Sequence, residues 1–453
     1  MSNILPPALV KRLNEQYNFE EELFFKVHEE GETVTSVRIN PFKDANIFAE
    51  AEQVPWSSYG RYLDTRPSFI ADPLFHAGCY YVQEASSMFI EHILREHVSL
   101  DDDLRILDLC AAPGGKSTLI ASLISKDSLL VSNEIIRSRV NVLSDNLTKW
   151  GILNSVVSNN DPKDFSRLEG YFDVLVVDAP CSGSGMWRKD PGTVNEWSES
   201  NVQLCSQRQQ RILADALPSL KKGGLLIYST CSYSAEENEA VADWLSASFA
   251  VSSLRVSTEQ EWNIVETTSP EHKCYGYRFY PHKVRGEGFF VSCFRKEEGS
   301  VEGPPVNFKP VKVSKNDQSI IRNCLSENED IAVIPVKEGY SVINARHTAD
   351  VQLLQSKLYL KKSGLYAGKI IGKDLIPEHD LALSLSLSDS LSRAELSYDQ
   401  AIAYLRKDEL RLNDARTGWC LMCYKGYPLG WAKVLPNRVN NYLPKELRIL
   451  KDI

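Results

Sequence analysis

No stretch of about 18 uncharged apolar residues occurs in the 453-residue chain, so the sequence offers no candidate for a membrane-crossing helix. The N-terminal MSNILPPALVKRL lacks both a sustained apolar core and a small-residue cleavage site, and a soluble cytoplasmic protein is the expectation. Cysteine is too sparse for a disulfide scaffold: ten residues with scattered spacing point to free thiols. Cys420 and Cys423 form a lone C-x-x-C with no second pair, and no metal site is expected. A basic excess is missing as well. The 51 Lys and Arg against 60 Asp and Glu leave a net charge of -9, which excludes non-specific coating of nucleic acid and leaves only local basic surface for such contacts. There is no internal repeat. What is present, 43% hydrophobic and 25% charged residues, is the composition of folded domains, about three at roughly 100–200 residues each.

The segment 1–100 reads as an accessory domain: a helical start, a strand at Thr33 to Ile39, an Asn40-Pro41 turn and an aromatic-rich stretch from Trp56 to Tyr81. YYVQEASSM, from Tyr80 to Met88, leads into an apolar-periodic helix through Leu94. From Leu104 short buried strands alternate with helices (LRILDLC, LLVSN, NSVVS, DVLVV, GLLIYST), which predicts a parallel α/β sheet over 101–298. GFFVSCFR at 288–295 is expected to close that sheet as an antiparallel edge. Residues 297–318 are rich in acid, glycine and proline and read as a linker. Beyond it lie a small α+β unit at 305–380 and a final unit at 381–453 with an amphipathic helix in YDQAIAYLRKDELR. LALSLSLSDSL at 381–391 alternates with period two but is low in complexity, leaving strand and loop both open.

Three loops at predicted strand ends concentrate the chemistry. Asp108-Leu109-Cys110-Ala111-Ala112-Pro113-Gly114-Gly115-Lys116-Ser117 joins a strand to a helix, where open α/β sheets bind ligands. It has neither the G-x-G-x-x-G spacing of dinucleotide loops nor the Walker pattern. Glu134, Asp161 and Asp178 end or follow the second, third and fourth strands, three acids on one edge of the sheet. Cys181, in DAPCSGSG, and Cys231, in STCSYS, follow the fourth and fifth strands, so both thiols face the same cleft, either as a reactive pair or as an inert buried one.

DLCAAPGGKS, NEIIRSRV, DAPCSGSGMWRKDP and YSTCSYSAEENE, in this order, resemble the motifs of the Nop/Sun family of RNA cytosine-5 methyltransferases, over about residues 37–295. The resemblance implies a Rossmann-like domain that uses S-adenosylmethionine. It places the nucleophile at Cys231 and assigns product release to Cys181; DNA cytosine-5 methyltransferases instead attack from the position of Cys181. Cofactor contacts are implied at Cys110, Ala111, Ala112, Pro113, Gly114, Gly115, Lys116, Glu134, Asp161 and Asp178, with Asp178 and Lys116 also among the catalytic candidates. The thiol has a chemical reason. Carbon 5 of cytosine is a poor nucleophile until a thiolate adds to carbon 6, and a second ionisable group is needed when the adduct breaks down. Asp178 is a candidate for holding the cytosine amino edge.

GYPLGWAKVLPNRVNNYLPKELR at 426–448 resembles the PUA-like RNA-binding domain of the family's bacterial ribosomal-RNA members. That implies small-subunit ribosomal RNA, or the assembling subunit, as partner; a monomer is the expected state. Transfer RNA is the alternative substrate, and a non-catalytic ribosome-assembly factor the alternative class. Lys425 to Lys451 holds six basic residues against one acid, interleaved with Tyr427, Trp431 and Tyr442; Ser356 to Lys373 holds five lysines and no acid. Both stretches suit phosphate contact, as do Arg188 and Lys189. A target base has to leave its stack to reach Cys231, at a cost of a few kcal/mol.

Overall fold

The computed structural model describes residues 5–16, 19–43, 46–306, 308–309, 312–412 and 416–450; Lys451 and linker positions 307, 310 and 311 lie outside them. The N-terminal part carries helices at Pro7–Asn14 and Glu21–Glu30 and an antiparallel sheet of β1 (Thr35–Ile39), β2 (Gly60–Leu63) and β3 (Tyr80–Val82), in the order β2-β1-β3. Helix Phe89–His97 leads from it into the central domain.

Short runs of β-branched and leucine residues form β4 (Arg105–Asp108), β5 (Leu129–Asn133), β6 (Ser155–Ser158), β7 (Phe172–Asp178) and β8 (Leu220–Thr230). These five pair in parallel in the order β6-β5-β4-β7-β8. The order reverses at β4, which opens a crevice beyond the carboxyl ends of β4 and β7. Strand alternation sends Ile106 and Val176 to one face of the sheet and Leu107 and Val177 to the other, each into a separate core. Helices Phe89–His97, Gly115–Ala121 and Arg137–Trp150 line the first face; Glu199–Ala216 and Glu239–Ser248 line the second.

The sheet extends further than the sequence predicts. β9 (Val251–Leu254), β10 (Val265–Thr268), β11 (Tyr275–Phe279) and β12 (Phe289–Lys296) add to it, and β12, expected at the edge, lies inside, between β8 and β11. Its continuous run of buried residues, Phe289 to Phe294, is the pattern of a strand covered on both faces.

Helix Lys315–Arg322, β13 (Ile331–Val336), β14 (Gly339–Asn344) and helix Thr348–Lys357 open the next unit. Its β15 (Leu360–Ser363) pairs antiparallel with β6 and ends the central sheet, so the segment read as a separate unit completes the catalytic one. Lysines at 361 and 362 suit that edge position. β16 (Leu365–Ile371) and β17 (Asp374–Pro377) return to the four-stranded sheet β13-β14-β16-β17. The LALSLSLSDSL stretch resolves into the end of helix His379–Leu383 followed by loop.

β18 (Arg393–Glu395), helix Tyr398–Arg406, β19 (Gly418–Tyr424), β20 (Tyr427–Leu435) and β21 (Arg438–Asn441) form the last unit. The helix begins with a reciprocal cap between Ser397 and Gln400. Tyr404, Met422 and Ala432 share a core with Val37, Leu74 and Tyr80, so the first and last parts of the chain pack on one another. Cys420 packs into that core and Cys423 into the neighbouring one, because residues three apart on a strand face opposite sides. Among the described residues no cluster of three or more metal-ligating side chains occurs, and no helix is long and apolar enough to cross a membrane.

Candidate active site

The loops after β4, β5 and β6 are stitched by one side chain. Asn133, buried at the end of β5, donates to the carbonyls of Leu109 (3.1 Å) and Asn160 (3.0 Å) and accepts from the Ser158 hydroxyl (2.9 Å) and the Asn160 N–H (3.0 Å). This brings the 108–116 loop, Glu134 and Asp161 to one side of the crevice, as their strand-end positions predict. Gly114 turns the chain with φ +112°, a conformation that L side chains rarely adopt, and a Cβ there would stand 3.3 Å from Leu143. The Pro113 carbonyl accepts from Asn146, and the Ala112 carbonyl from Arg139, which also faces the Glu134 carboxylate at 3.4 Å. Glu134 is buried and accepts from the Ile136 N–H at 2.8 Å. Asp161 caps the short helical segment after it by accepting from the Lys163 N–H. Burial pushes the Cys110 thiol up, and the carboxylates of Asp108, Asp178 and Glu134 push the same way.

In the sequence the loop begins at Asp108, but the cofactor contacts are expected only from Cys110 onward, which leaves Asp108 out of them. This carboxyl is fully buried at the end of β4; Oδ2 accepts from Ser117 at 2.7 Å, whereas Oδ1 has no hydrogen-bond partner among the described residues. Burial raises its pKa to about 7, against the lowering effect of Ser117 and Lys116 and with the help of Asp178 and Glu134. Its place as the fourth strand-end acid was the signal that would have found it.

Lys116, in the first turn of helix Gly115–Ala121, reaches across to Asp178 with Nζ–Oδ2 at 2.7 Å, and the Ser229 hydroxyl donates to the other Asp178 oxygen at 2.8 Å. Burial alone would weaken the ammonium, but Asp178 outweighs it and holds the Lys116 pKa above its ordinary value. The helix itself is gripped from the N-terminal part. Arg38 is wholly buried and donates to Gln83, Ser122, Thr118 and the Gly115 carbonyl, with its guanidinium 4.5 Å from the Trp150 ring centre. Burial draws its pKa down to about 9. On the opposite flank Asn160 exchanges hydrogen bonds with the Tyr359 backbone just before β15.

The two cysteine loops converge as predicted. Cys181 Sγ and Cys231 Sγ lie 3.0 Å apart, both as free thiols. The hydrogen bond to Cys231 and burial together hold the Cys181 pKa well above its ordinary value. The approach needs a glycine. A Cβ on Gly185 would lie 2.4 Å from the Gly288 carbonyl oxygen and 2.8 Å from that of Cys231, to which the Gly185 N–H donates.

Three assignments for RNA contact change. Arg188 is not free for phosphate, because its side chain is only 6% exposed and grips Glu287 through two nitrogens at 2.9 and 3.1 Å; Lys189 beside it is exposed. Trp431 is buried, with its indole N–H on the Glu378 carbonyl, while Tyr442 stays exposed beside Trp419. Lys362 is committed to Asp380 at 2.7 Å and to Thr148, and Lys369 pairs with Glu338, which leaves Lys361 and Lys373 exposed in the 356–373 stretch without such a pair among the described residues.

Three family models match successive parts of the chain: the N-terminal domain of 16S rRNA methyltransferase RsmF over residues 5–85, 16S rRNA methyltransferase RsmB/F over 88–295, and the methyltransferase RsmF PUA domain over 392–449. The ribosomal RNA small subunit methyltransferase F of Vibrio vulnificus is 31% identical over 440 residues, covering 91% of this chain and 90% of its own. That of Aeromonas salmonicida is 32% identical over 420 residues, covering 87% and 85%. Among solved structures, a methyltransferase homologue from Pyrococcus horikoshii superposes on 64% of this chain and 100% of its own, at 27% identity and a TM-score of 0.51. NSun6 from the same organism has the same fold at 20% identity, with a TM-score of 0.54 over 65% of this chain and 98% of its own.

Proposed function

The chain belongs to the RsmF-type members of the RsmB/F family of 16S rRNA methyltransferases, within the Nop/Sun group, and from that membership and the site geometry we propose that it methylates carbon 5 of cytidine in small-subunit ribosomal RNA through a covalent bond to Cys231. It is an S-adenosylmethionine-dependent RNA methyltransferase. The observation that carries the covalent reading is the pair of free thiols 3.0 Å apart at the ends of adjacent parallel strands, next to the Lys116–Asp178 ion pair.

The residues on the crevice fit the cofactor. Asp108 presents a buried carboxylate oxygen with no partner, which suits a cationic amino group, and Glu134 and Asp161 supply acceptors for hydroxyl and amino groups. The loop from Cys110 to Lys116 supplies backbone on a tight glycine turn. When bound, S-adenosylmethionine supplies an electrophilic methyl group.

The thiolate of Cys231 adds to carbon 6 of the flipped cytosine, and the electron pair so displaced makes carbon 5 nucleophilic. Lys116 pairs with Asp178 beside the thiols, and Asp178, held by Lys116 and Ser229, keeps an acceptor for the cytosine amino edge. At release a water molecule takes the proton from carbon 5, the C–H pair forms the carbon 5–carbon 6 double bond, the bond from carbon 6 to sulfur breaks, and its electron pair returns to Cys231. Cys181 stays protonated at neutral pH, so its S–H steadies that departing thiolate by donating to it.

Transfer of radiolabelled methyl from S-adenosylmethionine to small-subunit particles, large-subunit particles and transfer RNA, followed by nucleoside analysis, tests the reading. Label in 5-methylcytosine from the small subunit is the expected result. Label only in transfer RNA overturns the substrate, and no label in any RNA overturns the activity.

A further inference from the structure

The connection after Cys231, Ala235-Glu236-Glu237-Asn238-Glu239, carries three acids in five residues, a composition that belongs on a surface. Two of the three are nonetheless buried. Glu239 is paired with Arg278 (2.7 Å), and the more exposed Glu236 is paired with Arg12. Glu237 is fully buried and, among the described residues, has no cation at ion-pair distance. Its carboxylate instead accepts from four neutral donors: the Ser182 N–H (2.8 Å), the Ser182 hydroxyl (2.5 Å), the Ser232 hydroxyl (2.6 Å) and the Gln209 amide (3.1 Å).

Ser182 follows Cys181 and Ser232 follows Cys231, so this one carboxylate joins the two cysteine loops one residue beyond each thiol. We propose that Glu237 is the positioning residue that holds both thiols over the same base, and that methyl transfer depends on its reach across the two loops. A buried carboxylate without a counter-ion is costly, and few other groups present enough acceptor sites for four donors arriving from three elements.

The neighbours complete the clamp. Gln209 also donates to the Pro180 carbonyl (3.1 Å), so Cys181 is fixed on both sides. Asn238 accepts from the Thr230 hydroxyl (2.6 Å) and donates to the Ser232 carbonyl (2.8 Å), bracketing Cys231. None of these contacts involves the cofactor loops. Lys116 on Asp178, with Ser229 on the same carboxylate, links the two halves of the crevice; apart from that link they are braced separately, so loosening Glu237 should shift the thiols with little effect on residues 108–116. The negative charge of Glu237 also acts on Cys181, favouring the thiol there.

The inference rests on the covalent reading above, and full-length variants test it with S-adenosylmethionine and substrate RNA. Glu237→Ala should lower kcat about 100-fold, the scale expected when reacting groups are misplaced by about 1 Å, with the Kd for S-adenosylmethionine within about twofold of wild type. Glu237→Gln keeps the reach, because its amide oxygen accepts from the Ser182 N–H and Gln209 while the two hydroxyls reverse to accept from its NH2; kcat should return to within about fivefold of wild type. Glu237→Asp keeps the charge, loses one methylene and should resemble Glu237→Ala, which serves if the alanine variant does not fold. Alkylation of Cys231 by iodoacetamide, read by mass spectrometry without RNA, should change more than about tenfold in Glu237→Asp and less than about twofold in Glu237→Gln. A folded alanine or aspartate variant with kcat within twofold of wild type overturns the proposal, as does a glutamine variant no better than aspartate. If no RNA is methylated by the wild type, the activity has failed, and the alkylation rates still decide the clamp.

Discussion

The unpartnered oxygen of Asp108 makes cofactor affinity dependent on pH in a calculable way. In the free protein this carboxyl has a pKa of about 7, raised chiefly by burial, and in the binding mode proposed above it has to be ionised to receive the cationic amino group of S-adenosylmethionine. The sign follows from the raised value: lowering the pH through 7 protonates Asp108, removes the acceptor and weakens binding. With the competent fraction at about one half at pH 7 and about one eleventh at pH 6, the apparent Kd rises about fivefold between them and about tenfold for each further unit. Above pH 8 it should be flat on this account. Isothermal titration calorimetry from pH 5.5 to 8.5, with proton uptake read from buffers of different ionisation heat, measures both quantities. Asp108→Asn should bind weakly at pH 8 and lose the slope below 7. A wild-type Kd that stays within twofold from pH 6 to 8 would refute the assignment, and so would an Asp108→Asn variant that keeps the slope.

Cys231→Ser should abolish methylation and leave S-adenosylmethionine binding within about twofold of wild type; normal turnover would sink the covalent reading. Cys181→Ala removes the S–H that faces the departing sulfur, and a slower-migrating protein–RNA complex on a denaturing gel is expected. Absence of any such complex with an otherwise active RNA would remove Cys181 from the release stage. Arg188→Ala strands the buried Glu287 carboxylate and should destabilise the protein by about 3–5 kcal/mol, whereas Lys189→Ala should leave the melting temperature unchanged and reduce the salt slope of RNA binding by about one. The reverse pattern would return Arg188 to the RNA. Ending the chain at Arg295 removes β15, exposes the edge of β6 and frees the Asn160 loop, so that variant should lose S-adenosylmethionine affinity along with RNA affinity. Calorimetry with unchanged cofactor affinity would show β15 to be dispensable.

The parallel core was legible because fully buried strands write themselves as short apolar runs, and LLVSN, DVLVV and GLLIYST each became strands close to where they were read. The convergence of Cys181 and Cys231 was legible for a topological reason. Residues that follow neighbouring parallel strands have to emerge on the same edge, whatever their separation in sequence. What stayed hidden was every relation set by partners distant in the chain. Nothing local marks LKKS at 360–363 as the outermost strand of the catalytic sheet, since its pairing with β6 is decided by register across some two hundred residues. Arg188 has the composition of a phosphate contact, and only the fold reveals Glu287 against it. Glu237 reads as one more solvated acid until the four donors around it are seen.

The two ends of the crevice differ in what holds them, and the difference bears on how the extensions serve catalysis. The thiol side is braced from within the catalytic domain, by Glu237, Asn238 and Gln209. The cofactor side is braced from outside it. Arg38, from β1, grips the helix that begins at Gly115, and the backbone of Tyr359 fixes Asn160 beside Asp161. The N-terminal part that supplies Arg38 also shares a core with the C-terminal unit, through Val37 and Tyr80 against Tyr404 and Met422. A continuous line of packed side chains and one buried guanidinium therefore joins the C-terminal unit to the cofactor helix. The thiol side has one tie of this kind, from Arg12 in the first helix to Glu236 beside the clamp. The extensions are in this respect walls of the cofactor site as well as surfaces for RNA.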